Sequence, residues 1–319
     1  MIDFISATTS FESKDNLFLP HLQFEAKYSS GWEKYYLNGC EKMEVWINSN
    51  RQILKLKGSV SYYWQGHNFT FTNKEFVAAI NHIKGLLNIN IWNAMLDVFE
   101  FGVIMEVQAK PKEYILHHSA LPKDKLTMNE KPKDKHQFKW WNDSNVSLKM
   151  YDASRNIQMK QGENRKEIIR QAGWQDSGDF LKWEAHYLKP QCLNKGKGLK
   201  LYNLVNPDWN NVFKEDLYLQ YKRLVPMKSI ITPQNKKDLS TADILALTFA
   251  EEAINKGQSL EYLKKILYAK VNITPDDVLS KADKDARKRQ LKGLLDKLKE
   301  SPESKWDLSD KIQEALDNI

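Results

Sequence analysis

Alternating apolar and polar residues predict the strands of this chain, because successive side chains on a β-strand point to opposite faces. Within 96–107 the odd-numbered positions from Phe99 to Val107 form an unbroken apolar row, and the other row carries Glu100 beside Gly102. A second alternating segment covers 180–188. Two shorter ones within 138–151 flank a polar turn that is typical of a hairpin.

A helix is predicted where the apolar period changes from two residues to about 3.6. Thr72 and Glu75 have the spacing of a capping box, and apolar residues then recur at helical intervals over 76–87. Two further strands are predicted at 41–47 and 53–64. Strands separated by helices of uneven length predict an α+β fold, a largely antiparallel sheet with packed helices.

The 319 residues are expected to form two domains. A proline-containing polar stretch over 226–239 is typical of a linker. It separates a mixed domain at 1–225 from an all-helical domain at 240–319, whose role the sequence does not indicate.

The net positive charge of the chain indicates a polyanionic partner. The chain carries 48 Lys+Arg against 41 Asp+Glu, a net charge of +7. Residues 240–319 hold 14 basic and 15 acidic side chains, so their net charge of −1 leaves +8 on the first 239 residues. A nucleic-acid contact is therefore expected in the first domain.

Several classes of protein are excluded by what the sequence lacks. It has no Walker-type phosphate loop, no dinucleotide-binding glycine pattern, no Gly-x-Ser-x-Gly motif and no zinc-type cysteine pairing. It has no uninterrupted run of about 18 apolar residues, so no membrane association is expected. Two cysteines and no recognisable signal peptide favour a reducing, cytoplasmic location.

Polar residues on three strands are the candidates for chemistry. Glu100 is a carboxylate within a very apolar strand. Glu184 and His186 share one strand face and are candidate ligands of a divalent metal. Tyr151 and Lys149 share a face of the hairpin and are candidates for a nucleophile and a phosphate-stabilising cation. Spacing alone leaves open that each of these faces is simply solvated.

Four sequence blocks resemble the phage and plasmid replication-initiation family of the filamentous-phage gene II type. The blocks occur in the family's order within about residues 40–225: Leu56-Lys57-Gly58-Ser59 with Tyr62-Tyr63 and Phe71-Thr72, Phe99-Glu100-Phe101-Gly102-Val103, Leu148-Lys149-Met150-Tyr151-Asp152, and Leu181-Lys182-Trp183-Glu184.

The resemblance implies a rolling-circle replication initiator that nicks and rejoins origin DNA, single-stranded or supercoiled. It makes Tyr151 the nucleophile that forms a 5′-phosphotyrosine, and Glu100 and Glu184 the ligands of Mg²⁺ or Mn²⁺. Lys149 and Lys182 are then expected to share the charge on the phosphate.

The chain departs from the family pattern at two blocks. Ala153 follows Tyr-Asp where a basic residue is common, with Arg155 two places on. Lys182-Trp183 precedes the glutamate where the family usually has Arg-Phe. The first departure leaves open which residue contacts phosphate after the nucleophile.

Two alternative functions remain open from the sequence. A mobilisation relaxase would use the same chemistry on different DNA. A non-catalytic DNA- or RNA-binding regulator would bind through a basic sheet and aromatic stacking, without a covalent adduct. A host helicase or polymerase is a conceivable further partner, which no motif specifies.

Overall fold

A computed structural model gives the fold of the chain. It describes residues 1–13, 17, 19–121, 124–130, 138–175, 178–226, 230–231, 241–255, 260–296, 299–300, 304 and 306–319.

A ten-stranded antiparallel sheet dominates the structure. The strands of the described chain are β1 (Ile2–Ser10), β2 (Leu22–Lys27), β3 (Glu33–Leu37), β4 (Cys40–Asn48), β5 (Ile53–Ser59), β6 (Met95–Val107), β7 (His118–Ala120), β8 (Thr127–Glu130), β9 (Phe138–Asn142), β10 (Val146–Asp152), β11 (Asp179–Tyr187), β12 (Leu224–Pro226), β13 (Ile230–Ile231) and β14 (Lys299–Glu300). The large sheet has the order β2-β3-β4-β5-β1-β6-β11-β10-β9-β8, while β12 pairs with β7 and β13 with β14.

Helices complete an α+β architecture, so the predicted fold class is confirmed. They are α1 (Val60–Gln65), α2 (Asn73–Leu87), α3 (Pro111–Leu116), α4 (Ala153–Gln161), α5 (Arg165–Gln171), α6 (Pro207–Tyr221), α7 (Thr241–Asn255), α8 (Leu260–Ile273), α9 (Lys281–Leu295) and α10 (Ser309–Asp317). Short 3-10 helices lie at Leu19–His21, Ile91–Asn93, Gly162–Asn164, Pro190–Asn194 and Leu201–Val205.

The apolar rows predicted for β6 and β11 form the main core. Phe99 and Phe101 pack against Phe213 of α6, with ring centroids 5.2 and 5.8 Å away. Trp183 packs edge-on against Tyr221 of the same helix. Helix α6 therefore covers one face of the central strands and leaves their polar rows on the other.

The strand predicted over 53–64 ends earlier than expected. Ser59 closes β5, and its Oγ accepts a hydrogen bond from the backbone N–H of Tyr62, which caps α1. A serine hydroxyl satisfies a free N–H of the first helical turn and so favours a helix start at this point. The aromatic residues Tyr62, Tyr63 and Trp64 consequently lie on a helix.

The described residues form two compact units. One comprises 1–115, 122–223 and 309–319, and the other 116–121 and 224–308. The last helix, α10, thus belongs to the unit that contains the large sheet. Most of the predicted linker at 226–239 lies outside the described residues, so the domain boundaries drawn from the sequence stay a prediction.

None of the helices in the described ranges combines the length and apolar character needed to cross a bilayer.

A hydrogen-bonded turn centred on the partly buried Asp143 anchors the hairpin of β9 and β10. Asp143 Oδ1 accepts the backbone N–H groups of Asn145 and Val146 at 2.7 and 2.9 Å, and Oδ2 accepts Arg223 Nη2 at 2.8 Å. Burial alone would raise the pKa of Asp143, but these hydrogen bonds and the Arg223 charge outweigh it and lower the pKa.

We predict that this turn makes stability depend on pH. The pKa of Asp143 is lower in the folded than in the unfolded chain, so its contribution is present above about pH 4 and is lost as pH falls through the folded pKa. Asp143→Asn should lower the free energy of unfolding by about 1 kcal/mol at pH 7, with the difference shrinking towards pH 3. Urea unfolding across this range measures it. Glu167→Gln, at an exposed acid in the same unit, should show no such trend.

Candidate functional site

Three carboxylates meet on the polar face of the sheet. Asp3 lies on β1, Glu100 on β6 and Glu184 on β11, three strands that are consecutive in the sheet order. One carboxylate oxygen from each lies within 4.8 Å of the other two. The site therefore draws its acids from positions separated by nearly a hundred residues each.

Close strand spacing at Gly102 supports this arrangement. Gly102 pairs with Glu184 across β6 and β11. A Cβ at Gly102 would lie 2.5 Å from the Cβ of Glu184 and 2.7 Å from the carbonyl oxygen of Trp183. Only glycine leaves room for Glu184 at this position.

Asp3 is held in a buried pocket by four hydrogen bonds, one of which is also an ion pair. Its Oδ1 accepts the hydroxyls of Ser59 and Ser61 at 2.5 and 2.7 Å, and its Oδ2 accepts Asn68 Nδ2 at 2.5 Å and Lys182 Nζ at 2.9 Å. Burial alone would raise the pKa of Asp3. The Lys182 charge and the hydrogen bonds outweigh burial and hold the pKa well below its usual range, so Asp3 is ionised.

Two lysines cross-link the carboxylates. Lys182 is only 2% exposed and reaches Asp3 and, at 2.7 Å, Glu184 Oε2. Lys149 on β10 contacts Glu100 and lies 3.3 Å from Glu184 Oε1. Lys182 is thus a buried counter-ion, while the side chain of Lys149 is 23% exposed.

Tyr151 reaches the same carboxylates from β10. Its Oη donates a hydrogen bond to Glu184 Oε2 at 3.3 Å, and Lys182 Nζ lies 5.6 Å from the centre of its ring. Burial, and then the negative charge of Glu184, raise the pKa of Tyr151 well above its usual value. The phenol is protonated at neutral pH, with its proton directed at Glu184.

His186 joins the site through Glu100. Its Nδ1 lies 2.7 Å from Glu100 Oε1, and its ring packs against Phe4 at 5.8 Å between centroids. Burial alone would raise the pKa of Glu100, but His186 and Lys149 outweigh it and lower the pKa. The three mutually close ligand atoms come from carboxylates, so His186 as a direct metal ligand stays a prediction.

The predicted residues are therefore brought together on one sheet face. Adjacent positions of β10 and β11 carry Lys149, Tyr151, Lys182, Glu184 and His186. Their faces are not the solvated sides that spacing left open, because Lys182 and Glu184 are buried.

A cavity of about 590 Å³ opens onto this cluster. Asp3, Glu100, Tyr151 and Glu184 line one side of it, so the phenol and all three carboxylates face the same space. Lys182 lies behind them.

The donor set fits a hard divalent cation. Mg²⁺ and Mn²⁺ prefer carboxylate oxygens, and three carboxylates within mutual reach can supply them. Two of these acids, Glu100 and Glu184, were predicted from the sequence. Asp3 was not predicted. Its position as an acid between Ile2 and Ile5 in an apolar segment is a signal that the alternation of strand faces could have revealed.

We predict that Gly102→Ala displaces Glu184 and disables the site. The added methyl should destabilise the chain by about 1–3 kcal/mol, because β6 and β11 must separate locally. Divalent-metal binding, measured by calorimetry, should fall at least tenfold.

The matched control for this prediction is Gly85→Ala on α2, where an added Cβ has no neighbour within 4 Å. This helical position should gain about 0.5–1 kcal/mol and keep metal binding. Unchanged metal affinity in Gly102→Ala would contradict the role given to the close strand approach.

Comparison with known proteins finds a similarity in structure. No protein-family model and no curated protein matches the chain. It is similar to a rolling circle replication initiator protein from Geobacillus stearothermophilus, with a TM-score of 0.40 and 10% identity over 79% of this chain and 96% of that one.

Proposed function

We propose that the chain is a rolling-circle replication initiator that cleaves and rejoins origin DNA through Tyr151. The observation that carries the proposal is the hydrogen bond from Tyr151 Oη to Glu184, within a cavity lined by three carboxylates. A phenol aimed at a carboxylate and an acidic metal site together suit transesterification of a phosphodiester.

The reaction transfers a phosphoryl group from DNA to the protein. Tyr151 Oη attacks phosphorus, a P–O bond to the tyrosine forms, and the bond from phosphorus to the 3′-oxygen breaks. The phenolic proton moves to Glu184, and the 3′-oxygen leaves with the bonding electron pair and takes a proton from water. The products are a 5′-phosphotyrosine and a free 3′-hydroxyl.

Each charged neighbour has a part in this step. Asp3, Glu100 and Glu184 would hold the divalent cation, which supplies Lewis acidity at a non-bridging phosphate oxygen. Lys149, which pairs with Glu100 and Glu184, would share the charge of the phosphate. His186 orients Glu100, and Lys182 positions Asp3 and Glu184 by pairing with both.

The proposed reaction needs no ATP, which is consistent with a sequence that has no Walker-type phosphate loop. The phosphotyrosine bond conserves the energy of the phosphodiester, so attack by a 3′-hydroxyl rejoins the strand without ATP. A polymerase can instead extend that hydroxyl, which is the step a replication initiator must provide. The basic balance of the first 239 residues supports DNA as the partner.

We predict that Tyr151→Phe abolishes cleavage of supercoiled and single-stranded origin DNA in Mn²⁺. Loss of the hydroxyl removes the nucleophile, so nicking and the denaturant-resistant adduct should both fall by at least a thousandfold. Gel electrophoresis under denaturing conditions measures both.

Tyr202→Phe is the matched control, since Tyr202 is 43% exposed and lies outside the cavity. It should nick as the parent does. Full nicking by Tyr151→Phe would refute the nucleophile, and DNA binding by the parent without any adduct would indicate a non-catalytic regulator.

A second prediction concerns the carboxylate that the sequence analysis missed. Mn²⁺ at 100 times its dissociation constant should stabilise the parent by about 2.7 kcal/mol, which thermal melting detects. Asp3→Asn and Glu100→Gln should each lose most of this stabilisation. Asp97→Asn, on β6 but outside the three carboxylates, should retain it. A full Mn²⁺ response in Asp3→Asn would place the metal elsewhere.

A further inference from the structure

The wall of the cavity away from the carboxylates is basic and polar. Asn156 and Lys160 line it from α4, where a spacing of four residues puts them on one helix face. Lys42 lines it from β4. The cavity that Tyr151 lines thus holds three carboxylates from the sheet together with two lysines and an amide.

These two lysines differ from the lysines of the carboxylate cluster. Lys149 and Lys182 each contact two carboxylates. Among the described residues, no carboxylate oxygen lies within 4.0 Å of Lys42 or Lys160 Nζ. Their charges are therefore available to an anion that enters the cavity.

Lys160 is held in place by neutral groups. Its Nζ donates a hydrogen bond to Tyr62 Oη at 3.1 Å and lies 4.5 Å from the centre of the Tyr62 ring. Tyr62 Oη in turn donates to Asn68 Oδ1 at 3.4 Å, and Asn68 donates to Asp3. This chain of contacts fixes the ammonium relative to the carboxylates without neutralising it.

Burial reinforces the readiness of Lys160 to bind an anion. Burial is the main cause that lowers the pKa of Lys160; the negative charges of Asp3 and Glu184 act in the opposite direction, and the positive charges of Lys182 and Lys42 lower the pKa further. A partly desolvated ammonium without an ion-pair partner gains more from an incoming phosphate than a fully hydrated lysine does.

Ala153, which directly follows Tyr151-Asp152, does not supply a contact to phosphate. Ala153 is 3% exposed and packs in an apolar cluster with Ile157, Ile104 and Phe180. This apolar packing fixes α4, and Asn156 and Lys160, on the neighbouring stripe of the helix, line the cavity.

We propose that Lys160, together with Asn156 and Lys42, forms a binding site for the phosphodiester of single-stranded DNA and holds it against Tyr151. This inference rests on the proposed function and names the residues that position its substrate. Two walls of opposite charge would present the phosphorus to the phenol, with the lysine wall on the non-bridging oxygens and the carboxylate wall on the metal side.

The test separates binding from cleavage by using Tyr151→Phe as the background. In that background, Lys160→Gln should weaken binding of a single-stranded origin oligonucleotide about tenfold, measured by fluorescence anisotropy. The slope of log affinity against log salt should fall by about 0.7, the change expected for one lost contact to a single strand. Lys160→Arg should keep most of the affinity.

The matched control is Lys166→Gln, an exposed lysine on α5 outside the cavity. It makes the same charge change and should leave affinity and slope unchanged. In the chain with Tyr151 intact, Lys160→Gln should also slow adduct formation at saturating DNA.

Two results would overturn the inference. One is a Lys160→Gln variant with the affinity and salt slope of its background, and the other is an equal loss of affinity for blunt duplex DNA. Neither readout depends on cleavage. A parent protein that forms no adduct would instead refute the proposed function, whatever Lys160 does in the binding assay.

Discussion

Lys182 is a cation buried in the centre of the sheet, and the remainder of the site is arranged around its charge. Its ammonium lies between Asp3 and Glu184 at 2.9 and 2.7 Å. A buried charge is costly unless it is paired and hydrogen-bonded, so both carboxylates must be in place when the sheet forms. This requirement ties β1 to β11, whose residues are separated by 179 positions in the chain.

That pairing also explains why the candidate site is acidic yet compact. Three carboxylates within 4.8 Å of one another repel, and Lys182 and Lys149 offset the repulsion. Gly102 removes the one side chain that would hold β6 away from Glu184. Tyr151 then lies beside Glu184, and the phenol retains its proton because burial raises the pKa of Tyr151.

The acidic and basic residues that line the cavity are held in place in different ways. The carboxylates stand on adjacent strands, where backbone hydrogen bonds set their spacing. Lys160 comes from a helix anchored by apolar packing, and a neutral tyrosine holds it. The carboxylates suit a reaction that needs a divalent metal. Lysines without an ion-pair partner suit a substrate that is an anion.

Much of this could be predicted from local pattern. Side chains on a strand alternate with a period of two, so the sequence determined which residues of β6, β10 and β11 share a face, and it identified Tyr151, Glu100 and Glu184 as candidates. Pairing between distant strands is not local, and only the tertiary structure decided that β1 lies beside β6 and so supplies Asp3. The return of α4 over the cavity, which brings Lys160 to the site, was decided in the same way, because it depends on packing between segments far apart in the chain.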